Sequence, residues 1–156
     1  MLDMSGEKSL RASETDVLAL DLTRASGRFS RIAGRVPGVG YSLVAWRVLA
    51  ELEQSGSARV SDLAQQQRIS QPSMTGLVQR LEGERWVERR ADPDDRRASL
   101  VSITAAGRSA LDDYRRMAAA RVSPHLAELT DFDRATLARA VELMQRIGDR
   151  IGDPSG

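Results

Sequence analysis

The chemistry on offer in this sequence is hydrogen bonding and positive charge, and most of it falls between Ser70 and Arg97. Ser70, Gln71, Ser73, Thr75 and Gln79 can each donate and accept hydrogen bonds, and Arg80 adds a planar cation. Their spacing matters more than their types. At about 100° per residue, Pro72, Thr75, Gly76, Gln79 and Arg80 share one side of a helix, with Gly83 one turn further. No large apolar side chain lies on that side, and Gly76 near its centre has nothing beyond Cα. A helix thinned in this way, and edged by Ser, Thr, Gln and Arg, suits close approach to base edges in a DNA major groove. Ser70 is a natural N-cap and Pro72 belongs in a first turn, so unpaired amides there would face outward, ready for a phosphate. Arg89, Arg90, Arg96 and Arg97 follow, the last two near the tip of the loop Asp92-Pro93-Asp94-Asp95-Arg96-Arg97. Arginine suits bidentate contacts to guanine and to phosphate.

Enzymatic chemistry has no comparable footing. The chain has no cysteine and one histidine, His125, which excludes disulfides, thiolate metal sites, cysteine peroxide sensors and histidine clusters. No serine–histidine arrangement has a third member, no glycine loop cradles phosphate, and the acids scatter along helix surfaces.

The elements that must position these groups can be read from the apolar pattern. Opposite the polar face of the 70–83 helix, Met74, Leu77, Val78 and Leu81 form one buried stripe. Before it lies a short helix capped by Ser61, with Leu63 and Ala64 inside, and the turn Arg68-Ile69-Ser70. Short helix, tight turn and second helix make a helix-turn-helix, with the second helix as reader. After it, Trp86–Arg90 and Ser99–Ile103 read as strands joined by a Pro- and Asp-rich turn. Helix-turn-helix plus arginine-tipped hairpin is the layout of a winged helix-turn-helix, although a surface helix followed by a solvated hairpin leaves the same pattern.

Residues 1–12 are polar and unpatterned, and are read as a flexible tail. Ser13-Glu14-Thr15-Asp16 then offers a capped helix start, followed by the stripe Leu18, Leu22, Ala25, Phe29, Ile32 and Val36. A helix from Ser42 to Gln54 turns Ala45, Trp46, Leu49 and Leu52 inward, and residues 58–60 form a short strand. Beyond the hairpin, Thr104 caps a long helix striped by Leu111, Tyr114, Ala118, Val122, Leu126 and Leu129, in which Pro124 predicts a kink or break. Thr130 and Asp133 have capping-box spacing and open a last helix, with Leu137, Val141, Met144, Ile147 and Ile151 as its face.

The expected fold is therefore mainly α with a small β-hairpin wing. A winged helix-turn-helix head spans 41–104, between a dimerisation helix at 13–40 and dimerisation helices at 105–151, with a tail at 152–156. A head this small binds DNA weakly alone. Two copies double the contacts and read half-sites about one helical turn apart. The terminal helices are accordingly assigned to a homodimer interface, the alternative being that they fold back onto the head of a monomer.

Composition bounds the rest. The formal net charge of +1 provides no overall field toward nucleic acid or anionic membrane, so any binding face is local. Residues 68–97 hold seven arginines against six acids, which weighs against a purely electrostatic attraction. Lys8 is the only lysine, so the arginine bias covers the whole chain. No apolar run approaches membrane-spanning length, and Asp3, Glu7 and Lys8 interrupt any signal-peptide core. A cytoplasmic protein is expected, with no membrane partner.

The order of elements, together with Ser70-Gln71-Pro72-Ser73, Leu81-Glu82, Val87-Glu88-Arg89, Asp95-Arg96-Arg97 and Ile103-Thr104-Ala105-Ala106-Gly107, closely resembles the multiple-antibiotic-resistance regulator (MarR) family over roughly 13–151. The resemblance implies a dimeric winged-helix transcription regulator, usually a repressor, often released from its operator by small anionic or phenolic compounds. By position it puts Gln71, Ser73, Thr75 and Gln79 in or beside the major groove. It sends Arg97 from the wing into the minor groove, whose negative potential deepens where it narrows, while Asp95 with Arg96 braces the wing turn. One departure concerns Arg85, which stands where the family usually has glycine. Either the helix ends sooner, at Gly83, or Arg85 carries left-handed strain of about 1 kcal/mol.

The resemblance also implies an effector pocket between the dimer helices and the head. Arg28, Tyr41, Trp46 and His125 are the candidates for it, each with a packing or surface role as the alternative. No cofactor is expected beyond a small aromatic or anionic effector. A winged-helix head used as a protein–protein adaptor, without DNA readout, is the competing function.

Overall fold

The computed structural model describes residues 4–93, 95 and 99–152, with 4–12 described by backbone alone. It divides into two compact units, residues 1–118 and 119–156. Among the described residues nine elements run in the order α1 (Met4–Ala33), α2 (Leu43–Ser55), β1 (Ser57–Arg59), α3 (Val60–Gln67), α4 (Gln71–Gly83), β2 (Val87–Ala91), β3 (Ser99–Ile103), α5 (Ala105–Ala127) and α6 (Asp131–Gly152).

The head is built around α4. Met74, Leu77, Val78 and Leu81 are buried, as their spacing predicts, and join Ala45, Trp46, Val48, Leu49 and Leu52 of α2 and Leu63 and Ala64 of α3 in one apolar core. Val87, Val101 and Ile103 close it from the sheet. The wing is broader than a hairpin. β3 is the central strand, paired antiparallel to β2 (Val87 opposite Ile103, Ala91 opposite Ser99) and to β1 (Ser57 opposite Ser102, Arg59 opposite Leu100).

Several boundaries differ from those expected, each for a local reason. α1 is already helical at Met4, so residues 4–12 continue the helix and do not form a tail. Glu7, Lys8, Leu10, Arg11 and Ala12 are good helix formers without a proline, and a helix once nucleated extends at little cost. The start expected at Ser13 is thus internal. α3 begins at Val60, with Arg59 and not Ser61 in the cap position. Pairing of β1 with β3 holds the chain extended up to Arg59 and fixes where the helix can begin. α5 passes unbroken through Pro124 to Ala127. Pro124 stands in the last turn, so its missing N–H forfeits one hydrogen bond near an end that frays in any case.

The first half of α5 packs into the head, where Leu111 is 2% exposed. Gly107 makes this approach feasible, since a Cβ there would lie 2.1 Å from the Trp86 carbonyl oxygen. The Thr104 hydroxyl fixes the junction by accepting from Gly107 N–H at 3.0 Å and donating to the Arg85 carbonyl at 2.6 Å. In the second unit, the Thr130 hydroxyl accepts from Asp133 N–H at 3.1 Å and donates to the Asp133 carboxylate at 2.6 Å, completing the capping motif at the start of α6.

Candidate nucleic-acid interface

α4 presents its two faces as the sequence predicts. Ser70, Gln71, Pro72, Ser73, Gln79 and Arg80 are exposed, and Thr75 and Gly76 are half-buried. Ser70 caps the helix: its hydroxyl accepts from Ser73 N–H at 3.3 Å and lies 2.8 Å from the Ser73 hydroxyl. A Cβ built on Gly76 would meet nothing within 4 Å, so no packing inside this chain requires glycine there. The open side of the helix is clear for a partner to approach its backbone.

The arginines divide into engaged and unengaged groups. Arg89 faces the inner side of the sheet, with its Nε 2.9 Å from the Glu82 carboxylate on α4. The N–H is not aligned on that oxygen, and neither Nε nor Nη2 has a hydrogen-bond partner, so the contact is ionic. Arg89 therefore ties the wing to α4. Arg90, on the outer side, is 75% exposed and pairs with Glu88 at 2.8 Å. Among the described residues no ion pair joins Arg80 to Glu84, open to it at i+4 spacing; Glu84 accepts the Tyr41 hydroxyl at 2.9 Å. Arg96 and Arg97 lie outside the described residues, as does any brace between Arg96 and Asp95.

A contact between residues far apart in sequence anchors the wing. Asp92 is 4% exposed, and its Oδ2 accepts from Arg59 Nε at 2.7 Å and lies 2.6 Å from Arg59 Nη2. That hydrogen bond, and then the charge of Asp92, raise the Arg59 guanidinium above its ordinary range; desolvation opposes them, and the charges of Asp95 and Asp62 add lesser support. Arg59 ends β1 and Asp92 follows β2, so the pair clamps the outer strands across β3 at the tip end of the sheet. The residues are 33 apart in sequence, and nothing local announces them. The one available signal was the pairing of types, an arginine in a strand and an acid at a turn.

Of the four effector-pocket candidates, the structure brings Tyr41 and Trp46 together and adds two rings. Tyr41 lies 4.9 Å from Trp86, and Trp46 lies 5.4 Å from Trp86 and stacks on Tyr114 at 4.4 Å and 4°. The buried Trp46 Nε1–H has no hydrogen-bond partner. Burial, and then the Glu84 contact, raise the Tyr41 phenol above its usual 10.0. Burial does the same for Tyr114, whose hydroxyl donates to the Gly34 carbonyl at 3.0 Å. Arg28 is exposed on α1, and no described contact joins it to the rings; His125 is exposed in the second unit.

Outside the head, apolar stripes stand in the open. On α1, Leu18 is 67% exposed, with Phe29 and Ile32 also uncovered. On α6, Leu137, Val141, Met144, Ile147 and Ile151 are all exposed, and Phe132 and Leu143 flank them along an apolar groove with Ala135 and Ala140. Among the described residues no helix is long and apolar enough to cross a membrane.

Comparison with known proteins gives the same picture from another direction. The family model described as MarR matches residues 42–99. A helix-turn-helix-type transcriptional regulator of Mycobacterium tuberculosis is 32% identical over 133 residues, covering 85% of this chain and 93% of its own. Wild-type MarR from Escherichia coli, solved in its apo form, superposes with a TM-score of 0.66 at 19% identity, over 81% of this chain and 95% of its own. BpsR of Bordetella bronchiseptica, whose DNA binding is regulated by 6-hydroxynicotinic acid, superposes with a TM-score of 0.53 at 24% identity, over 80% and 89%.

Proposed function

Since the chain belongs to the MarR family of helix-turn-helix transcriptional regulators, we propose that it acts as a homodimeric repressor that reads a pseudo-palindromic operator and releases it on binding a small aromatic or anionic effector. Each α4 enters a major groove with its thin side toward the bases. Gln71, Ser73, Thr75 and Gln79 reach base edges, and the Ser70-capped first turn meets phosphate. Arg80 contacts base or backbone. Arg97 extends from the wing into the flanking minor groove, with Arg96 and Asp95 bracing the turn. Arg89 supports this frame from behind, through Glu82.

The observation that carries this reading is the two-sidedness of α4: four apolar residues sunk in the core, and opposite them a polar face whose central glycine has open space before it. The exposed stripes on α1 and α6 support the dimer. Covering a side chain of this size contributes about 1.5–3 kcal/mol when burial is complete. Several half-exposed residues per copy thus suffice against an association cost of roughly 4–15 kcal/mol. The effector reading rests on the neighbouring rings of Tyr41 and Trp46, on the Tyr41 hydroxyl that meets Glu84 just past α4, and on the unpartnered Trp46 Nε1–H. Such a regulator works in the cytoplasm, where its DNA is.

Selection from a random duplex pool tests the function. An inverted repeat with half-sites about one turn apart, bound with a steep salt dependence, is the expected product. Absence of any enriched sequence, together with a flat salt response, would identify a protein–protein adaptor instead.

A further inference from the structure

Two non-glycine residues among those described have a positive φ, and both are arginines: Arg68 at 53° and Arg85 at 61°. They occupy equivalent places at the ends of consecutive helices. After α3, Arg68 N–H bonds to Gln65 C=O at 3.1 Å and Ile69 N–H to Ala64 C=O at 3.1 Å. After α4, Arg85 N–H bonds to Glu82 C=O at 2.8 Å and Trp86 N–H to Leu81 C=O at 2.9 Å. Each is a Schellman closure, with an apolar residue (Ile69, Trp86) seated on the core just past it. That closure demands a left-handed residue, and glycine adopts it without strain.

Packing does not ask for arginine at either place. Both side chains are exposed, and neither has an ion-pair partner among the described residues. The acids nearest Arg85 in sequence are already engaged, Glu84 by Tyr41 and Glu82 by Arg89. Arg68 is flanked by uncharged Gln65–Gln67 and Ile69–Gln71. The two cations bracket α4, whose thirteen residues extend about 20 Å, against a major groove about 12 Å wide. Side chains set beyond both ends of such a helix meet the sugar–phosphate walls and not the bases.

We propose that Arg68 and Arg85 are a pair of phosphate clamps that grip the DNA backbone on either side of the groove entered by α4. This rests on α4 being the reading helix. The arginines are held in a strained backbone geometry because their charge is needed at those two points.

The test uses the full-length protein with Arg68→Gly, Arg85→Gly and the corresponding Asn variants, all of which accept a positive φ. Binding is measured to a mixed-sequence duplex of about 30 base pairs and to a selected duplex, across a salt series. The expected result is a melting temperature equal to or above that of the parent, with weaker binding to both duplexes. The slope of log affinity against log salt should fall by about one unit per contact removed. Arg68→Lys and Arg85→Lys should recover most of the binding. Unchanged affinity and slope in the variants, with the parent binding normally, overturns the clamps alone. Affinity and melting temperature falling together overturns them too, because the arginines would then be structural. A parent that binds neither duplex overturns the reading of α4 and the clamps with it.

Discussion

Gly76→Ala separates the needs of the folded protein from those of the complex. In the free protein the substitution is unopposed, because the added Cβ meets nothing within 4 Å and Gly76 does not have a left-handed φ. Alanine in a helix interior is favoured over glycine by about 0.8–1.0 kcal/mol, which for a chain of this length raises the melting temperature by roughly 2–4 °C. On DNA the same methyl group stands between the α4 backbone and the base edges. If it forces each helix back by enough to weaken one good base contact, the loss is about 1 kcal/mol per copy at the low end. With two copies on one operator that is about 2 kcal/mol, or roughly 30-fold in affinity. Thermal denaturation and fluorescence anisotropy with a labelled operator duplex read the two effects independently. A variant that melts higher and binds equally well or better would show that the α4 backbone does not closely approach the bases, and the argument from the thin face would fail.

Other outcomes follow from the same geometry. Asp92→Ala removes the acceptor that holds Arg59 at the tip end of the sheet; DNA affinity should drop several-fold while the melting temperature falls by only a few degrees, as calorimetry and anisotropy would report. Tyr41 and Tyr114 both have phenols raised above 10.0, so the folded state binds their protons more tightly than the unfolded chain does. The stability this contributes is complete below pH 10.0 and is lost as pH climbs through the folded values. Tyrosinate absorbance should therefore rise later in the folded protein than in denaturant, and Tyr41→Phe should remove part of the difference. Val141→Asp places a charge on the exposed stripe of α6, and sedimentation equilibrium should show a shift from dimer toward monomer.

The features that were legible in the sequence are those set by neighbours a few residues apart. Met74, Leu77, Val78 and Leu81 repeat at helical spacing, and all four are buried. Ser70 and Thr130 cap the helices that follow them because a hydroxyl three residues before an N–H is a local fact. At Arg85 both alternatives hold at once: α4 does end at Gly83, and Arg85 takes the left-handed turn beyond it. Tertiary pairing was not legible. β1 joins β3, more than 40 residues later, and this moves the start of α3 to Val60. The Arg59–Asp92 clamp and the gathering of Tyr41, Trp46, Trp86 and Tyr114 likewise depend on strands and helices meeting across the head. Leu111 and Tyr114 read as part of a dimerisation stripe, yet both belong to the packing of the head. A helix stripe states that a face is covered, not by what.

Hydroxyl-radical footprinting of the protein on a selected operator tests the central claim most directly. Two α4 helices joined through a two-fold dimer should protect two symmetric backbone patches with centres about ten base pairs apart, and the patches should weaken together as salt rises. A single asymmetric patch, or protection without a two-fold centre, would contradict a paired reading head.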